Sequence, residues 1–202
     1  MIRIVITLLI VGFAQCSFAQ HNFLYERRTI KAIRVLEDSL SSKYEGLVKT
    51  NVAKDYFPTA LENHDYYPLS YIRTNDSFFP ELHVKYFYNE ADSMLLSSSY
   101  DWDIMDYVKN LKTDGDKFEK EKLRKKEYLD KYNSIKAELI KKYGVPTVIE
   151  ETKNSEGYFY KLQWNTQTTN VLLLLKFSTQ LIVLPGNMKV GSYNIRVKID
   201  YK

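Results

Sequence analysis

The sequence predicts an α+β protein, an antiparallel β-sheet meander packed against one or two long amphipathic helices. Three observations carry this. Residues 22–48 and 117–142 place apolar side chains at steps of three and four. From Val145 to Lys202 the period changes to two. Polar clusters with turn chemistry separate the alternating runs. A sheet with one apolar face and helices with one apolar stripe bury both by stacking in layers.

The first segment has a different character. Arg3 gives a positive start, Ile4 to Phe13 is an apolar run interrupted by Thr7 and Gly12, and the small residues Ser17 and Ala19 follow. This is the three-part pattern of a secretory signal peptide, expected over residues 1–19 with cleavage after Ala19. The run is shorter than the roughly 20 residues a membrane span needs. Cys16 follows an apolar run, as a lipidated cysteine does, but Gln15 stands where a small residue is wanted, which argues against lipoprotein anchoring.

Residues 20–202 are then expected as a single α+β domain without cysteine, so disulfides, thiolate metal sites and Cys nucleophiles are excluded from it. Export without disulfides points to a periplasmic or secreted bacterial protein. The formal net charge of the whole chain is +4. So mild a balance argues little for nucleic acid, and export argues against it further.

Residues 22–48 read as the first helix, with Asn22 as its cap. Its stripe is Ile30, Ile33, Leu36, Leu40, Tyr44 and Leu47. Residues 53–80 read as irregular, because Pro58, Pro68 and Pro80 oppose both a continuous helix and a central strand. A hairpin is expected over 81–102. Leu82, Val84, Tyr86 and Tyr88 form one face, Asn89 to Asp92 the turn, and Met94, Leu96, Ser98, Tyr100 and Trp102 the return. The helix over 117–142 has Tyr128, Tyr132, Ile135 and Leu139 as its inner stripe, Gly144 as a left-handed cap and Pro146 as a stop. The sheet over 145–202 follows. Leu181 to Leu184 and Met188 to Val190 flank a Pro185-Gly186-Asn187 turn. In the last strand Tyr193, Ile195, Val197, Ile199 and Tyr201 point inward, and Asn194, Arg196, Lys198 and Asp200 point toward water.

Chemistry is sparse. The three histidines, His21, His64 and His83, do not form metal-ligand spacing, so no metal and no cofactor are expected. His21 is expected to be mobile and His83 to lie on a polar strand face. There is no G-x-S-x-G, no P-loop and no dinucleotide fingerprint. Asp101, Asp103 and Asp106 around Trp102 are the best carboxylate cluster, and with His64 they would serve a hydrolase. They read more simply as a polar strand end. Glu150 and Glu151 are adjacent, so on a strand they point to opposite faces.

Two features point to recognition instead. The chain holds 17 Tyr, 10 Phe and 2 Trp. Such rings fill cores and also stack on sugars and protein surfaces. Tyr66, Tyr67, Tyr71 and Trp102 are the candidate ligand contacts. The helix over 117–142 carries ten basic and five acidic residues, a composition suited to an anionic surface. The expected function is an exported envelope or secreted binding module without enzymatic activity, its partner a protein or glycan of the cell envelope. The alternative is an assembly factor that accepts a partner strand at an open sheet edge, with the last strand as that edge; a hydrolase is the third reading.

Overall fold

The computed structural model describes residues 21–47, 68–74, 78, 80–103, 125–155, 157–184 and 188–202, with the side chains of 179–192 excepted. Its centre is one antiparallel sheet of eight strands. In chain order the elements are α1 (Ile30–Ser39), β1 (Lys43–Leu47), β2 (Leu69–Arg73), β3 (Leu82–Tyr88), β4 (Leu95–Asp103), α2 (Lys125–Tyr143), β5 (Val148–Asn154), β6 (Gly157–Asn165), β7 (Thr169–Leu184) and β8 (Met188–Tyr201). The spatial order is β1-β2-β3-β4-β8-β7-β6-β5. Two four-stranded meanders, β1 to β4 and β5 to β8, therefore join where β4 pairs with β8, Tyr100 opposite Val197 and Trp102 opposite Ile195.

The inner face of the sheet is mostly apolar. One row runs Tyr71, Val84, Tyr100, Val197, Leu173 and Leu162 across six strands. Each of these residues is less than a tenth exposed. The helix α2 covers this face with the expected stripe of Tyr128, Tyr132, Ile135 and Leu139. Tyr128 meets Phe177 and Tyr193, and Tyr132 meets Tyr160. Gly144, at φ +80°, donates its N–H to the Ile140 carbonyl and closes the helix as its spacing predicts. The carbonyl of Gly144 accepts the Trp164 indole N–H at 2.8 Å, which ties the helix end to the sheet. Residues 117–124 lie outside the described residues, so the basic cluster Lys120, Lys122 and Arg124 is not placed.

The first helix differs from its expectation. It spans 10 residues, not 22–48. Thr29 caps it, accepting from the Ala32 N–H, whereas Asn22 sits at φ 53° in an extended segment. The serines that follow Leu40 end it, with Ser41 at φ 54°, and Tyr44 and Leu47 belong to the edge strand β1, half exposed. Serines compete for backbone hydrogen bonds and favour turns over helix interiors. That local preference outweighs an apolar spacing that continues through them.

Phe23 and Leu24 join the core from the N-terminal segment. They are about 5% exposed. The Tyr100 hydroxyl accepts from the Leu24 N–H at 2.7 Å, and the Tyr201 hydroxyl donates to the Leu24 carbonyl at 2.6 Å. His21 is buried too, not mobile. Its ring stacks on Phe23 and meets the edge of Trp102, and its Nδ1 lies 2.8 Å from Glu138 of α2.

The segment read as irregular over 53–80 contains β2. Pro68 precedes the strand and Pro80 follows it, so five residues between them pair freely with β1 and β3. The hairpin of β3 and β4 forms as expected, with one irregularity. Phe87 faces Ser97 and Tyr88 faces Leu95, so Leu96 is an extra residue. A bulge of this kind switches the inward set from even to odd positions, and Leu95, fully buried, takes the core position expected of Met94 or Leu96.

Candidate functional site

The second face of the sheet is where chemistry-bearing side chains gather. Strand alternation turns Ser97, Ser99, Asp101 and Asp103 of β4 to this face, with Asn194, Arg196, Lys198 and Asp200 of β8 beside them. One row runs His83, Asp101, Arg196, Leu174, Lys161 and Glu150 from β3 to β5. The next runs Lys85, Ser99, Lys198 and Leu172.

The face is knit by polar contacts, some across strands and some along one strand. Arg196 Nε donates to Asp101 Oδ1. Ser99 Oγ donates to Asp101 Oδ2 at 2.7 Å. Lys198 Nζ lies 2.7 Å from Asp200 Oδ2. Lys161 Nζ lies 2.9 Å from Glu150 Oε1, and His83 Nδ1 lies 3.3 Å from Glu45 Oε2 of β1.

The centre of this face is withdrawn from water, contrary to the expected solvated face. Asp101 is 4% exposed and Lys198 2%, and Ser97, Ser99, Phe87 and Leu174 are buried with them. Burial pushes the Lys198 ammonium below its ordinary value, and Asp200 only partly restores it. Among the described residues Ser97 Oγ and Asn194 Nδ2 are buried without a hydrogen-bond partner. Fully buried polar atoms are normally paired.

The sequence-predicted contacts are placed differently. Tyr71 is 4% exposed and Trp102 is fully buried. Both sit on the inner face, where strand alternation and the cover above them leave no ring surface for a ligand. Tyr66 and Tyr67 lie outside the described residues, as do His64 and Asp106. Asp101 is engaged with Arg196 and Ser99, so it is an ion-pair carboxylate and not one of a facing pair across a cleft. Glu150 and Glu151 do face opposite ways. Among the described residues no group of three His, Cys, Asp or Glu side chains could hold a metal ion, and no helix is long and apolar enough to cross a membrane.

A second charged network lies on the inner face. Glu37 of α1, fully buried, receives Arg73 of β2 through Nε at 3.1 Å and Nη2 at 2.5 Å, and the Tyr86 hydroxyl also donates to it. Arg73 Nη1 donates to the His21 carbonyl at 2.9 Å and to the Asn22 carbonyl at 3.2 Å. Burial alone would raise the Glu37 carboxyl, but the Arg73 hydrogen bonds and charge outweigh it and hold the carboxyl below its usual range. This network fastens helix, sheet and N-terminal segment to one another.

Sequence reasoning missed both networks. The one available signal was the strict charge alternation of β8, which marks one polar face but not the strand beside it. Glu37 stands four residues after Ile33 on the buried face of α1, but a single acid among apolar residues does not name the Arg73 that meets it. No family model, no curated protein and no solved structure matches this chain.

Proposed function

We propose that this protein is an exported, non-enzymatic binding module whose recognition surface is the second face of the sheet. One observation carries the reading: Asp101, Arg196 and Lys198 form a charged cluster over two adjacent rows at the centre of a sheet face, with Asp101 and Lys198 withdrawn from water. Apolar residues of similar volume would serve stability at least as well there, because removing charges from water costs about as much as their attraction returns. Perturbed, buried ionisable groups concentrate at functional sites. The half-buried His83 and Lys85 continue these rows toward β2 and supply the accessible part of the surface.

The partner is a protein or glycan of the cell envelope that presents polar groups to this cluster. Tyr66 and Tyr67 are further contact candidates, and the basic stretch 117–142 would hold the module near an anionic surface. The described histidines have structural partners, His21 with Glu138 and His83 with Glu45, which favours binding over general-base chemistry.

A second reading, an assembly factor, rests on the sheet edges. The last strand cannot serve it, because β8 lies between β4 and β7. β5 is the edge that fits, with Ile149 59% exposed. Glu150, Glu151 and Lys153 on the same strand oppose self-pairing and would select a partner strand.

The test is photocrosslinking in the native cell from a photoreactive residue at position 85, with position 35 on the exposed side of α1 as control. We expect a discrete product from 85 alone. Lys85→Glu should abolish binding of the captured partner and change stability by less than about 0.5 kcal/mol. Equal yields from both positions, or none from 85, would remove this face as the recognition surface.

A further inference from the structure

We propose that Lys125, Lys153 and Tyr158 hold the anionic group of a sugar phosphate, whose ring enters the recess beside them. The three residues come from three elements. Lys153 of β5 stands directly opposite Tyr158 of β6, and Lys125 stands at the start of α2. The Lys125 Nζ lies 4.4 Å and the Lys153 Nζ 5.5 Å from the centre of the Tyr158 ring. The ring is itself held by neighbours. Its centre is 5.9 Å from that of Tyr160 and 6.2 Å from that of Phe177, and Phe177 stacks on the buried Tyr193. Two cations on long stems therefore converge on one fixed ring. The cluster is open to water: Lys153 is exposed, and Lys125 and Tyr158 are half-buried.

Among the described residues the charges that act on Tyr158 are both positive. Hydrogen bonding from Lys125 and the charges of Lys125 and Lys153 hold its phenol below the ordinary value. Tyr132 and Tyr160 of the same cluster move the other way, because burial and then the Glu151 carboxylate act on them. Two ammonium groups gathered at one ring repel each other, and the ring face offsets this only in part. An oxyanion between them removes the repulsion and accepts charge-assisted hydrogen bonds from both, with the Tyr158 hydroxyl as a third donor. A phosphate monoester carries about −1.5 to −2 charge near pH 7, which matches two ammonium groups better than a carboxylate does.

The recess supplies the rest of the ligand's chemistry. Tyr158 borders an open recess of about 170 Å³, with Thr152, Asn154, Phe159, Lys176 and Ser178 around it. Phe159 is 36% exposed. Hydroxyl and amide groups beside an accessible aromatic face suit a sugar, which offers hydroxyls at its rim and an apolar face to stack. The volume fits one ring, since sites for larger ligands begin near roughly 300 Å³. Glu156, in the turn between β5 and β6, lies outside the described residues. The proposal rests on this cluster and not on the charged face of β4 and β8, so its failure leaves that reading standing.

The test is an NMR titration of the backbone amides with glucose 6-phosphate, inorganic phosphate and glucose, in the native protein and in Glu156→Gln, which removes the acid of the neighbouring turn. We expect glucose 6-phosphate to perturb Lys153 and Tyr158, to bind at least fivefold more tightly than phosphate, and glucose alone not to bind. Lys125→Gln and Lys153→Gln should each weaken glucose 6-phosphate at least fivefold. Lys126→Gln is the control, because Lys126 is exposed on the same helix and paired with Asp130, and it should change nothing. Phe159→Ala should weaken glucose 6-phosphate and leave phosphate unchanged. No perturbation of Lys153 and Tyr158 by glucose 6-phosphate in either background overturns the proposal. So does an equal loss in Lys126→Gln, which would make the attraction a diffuse one. If phosphate binds as tightly as glucose 6-phosphate, the cluster holds a bare oxyanion and the sugar assignment falls.

Discussion

Glu37 shows how far a single side chain can reach in this fold. It is fully buried, yet it is charged, because Arg73 and Tyr86 meet it from two neighbouring strands. Glu37→Gln leaves the Arg73 guanidinium buried without its counter-charge. Breaking such a pair costs about 3–5 kcal/mol, which for a chain of this size lowers the melting temperature by roughly 10 °C. A scanning calorimetry trace unchanged by the substitution would mean the network is not a structural clamp. The same residue sets an acid limit. Its folded carboxyl titrates below the ordinary value of 4.5, so on acidification the unfolded chain takes up the proton first. The contribution is complete above about pH 4.5 and is lost as pH falls through the lower folded value. Glu138, held down against burial by His21 and Tyr25, moves the same way. Denaturation midpoints should therefore fall below pH 5 in the native protein and fall less steeply in Glu37→Gln.

Two glycines mark how elements end, and geometry ranks them. Gly144 closes α2 at φ +80°, and a methyl group added there would meet nothing within 4 Å. Gly144→Ala carries only the backbone penalty of the left-handed region, about 1 kcal/mol. Gly157 opens β6 where a methyl group would stand 2.0 Å from the Phe177 carbonyl oxygen. That overlap is with backbone, so the first rung of β6 and β7 must open. Gly157→Ala should cost more than Gly144→Ala and should accelerate amide exchange at Phe177 and Ser178. If the two substitutions prove equal in urea denaturation, the close approach of β6 to β7 is wrong. The bulge at Leu96 follows the same logic, since one extra residue exchanges the faces of everything beyond it.

At the scale of the molecule, the junction of β4 and β8 decides cooperativity. Asp101 and Arg196 pair across 95 positions of sequence. Contacts of such separation carry a large closure entropy and slow folding. β8 also lies at the centre of the sheet, with β4 on one side and β7 on the other. The slowest amides to exchange should be those of Ile195 to Ile199, and the fastest strand amides those of β1 and β5. Ending the chain after Asn194 should abolish cooperative unfolding, since Ile195, Val197 and Ile199 are fully buried. Equal protection in β5 and β8 would contradict the strand order.

Much of this architecture was legible residue by residue. The hairpin of β3 and β4, the inner stripe of α2, its glycine cap and the inward set of β8 are all local periodicities, which depend only on the spacing of apolar side chains along one element. Tertiary structure decided what spacing cannot carry. Strand order places the last strand at the centre instead of the edge, because pairing is a relation between distant segments. The burial of Asp101 and Lys198 depends on what each strand lies beside, so a charge pattern that reads as a wet face becomes a dry one. The short first helix and the strand between Pro68 and Pro80 show the same cause. Local turn chemistry and neighbouring strands together decide the outcome where the apolar spacing alone permits several.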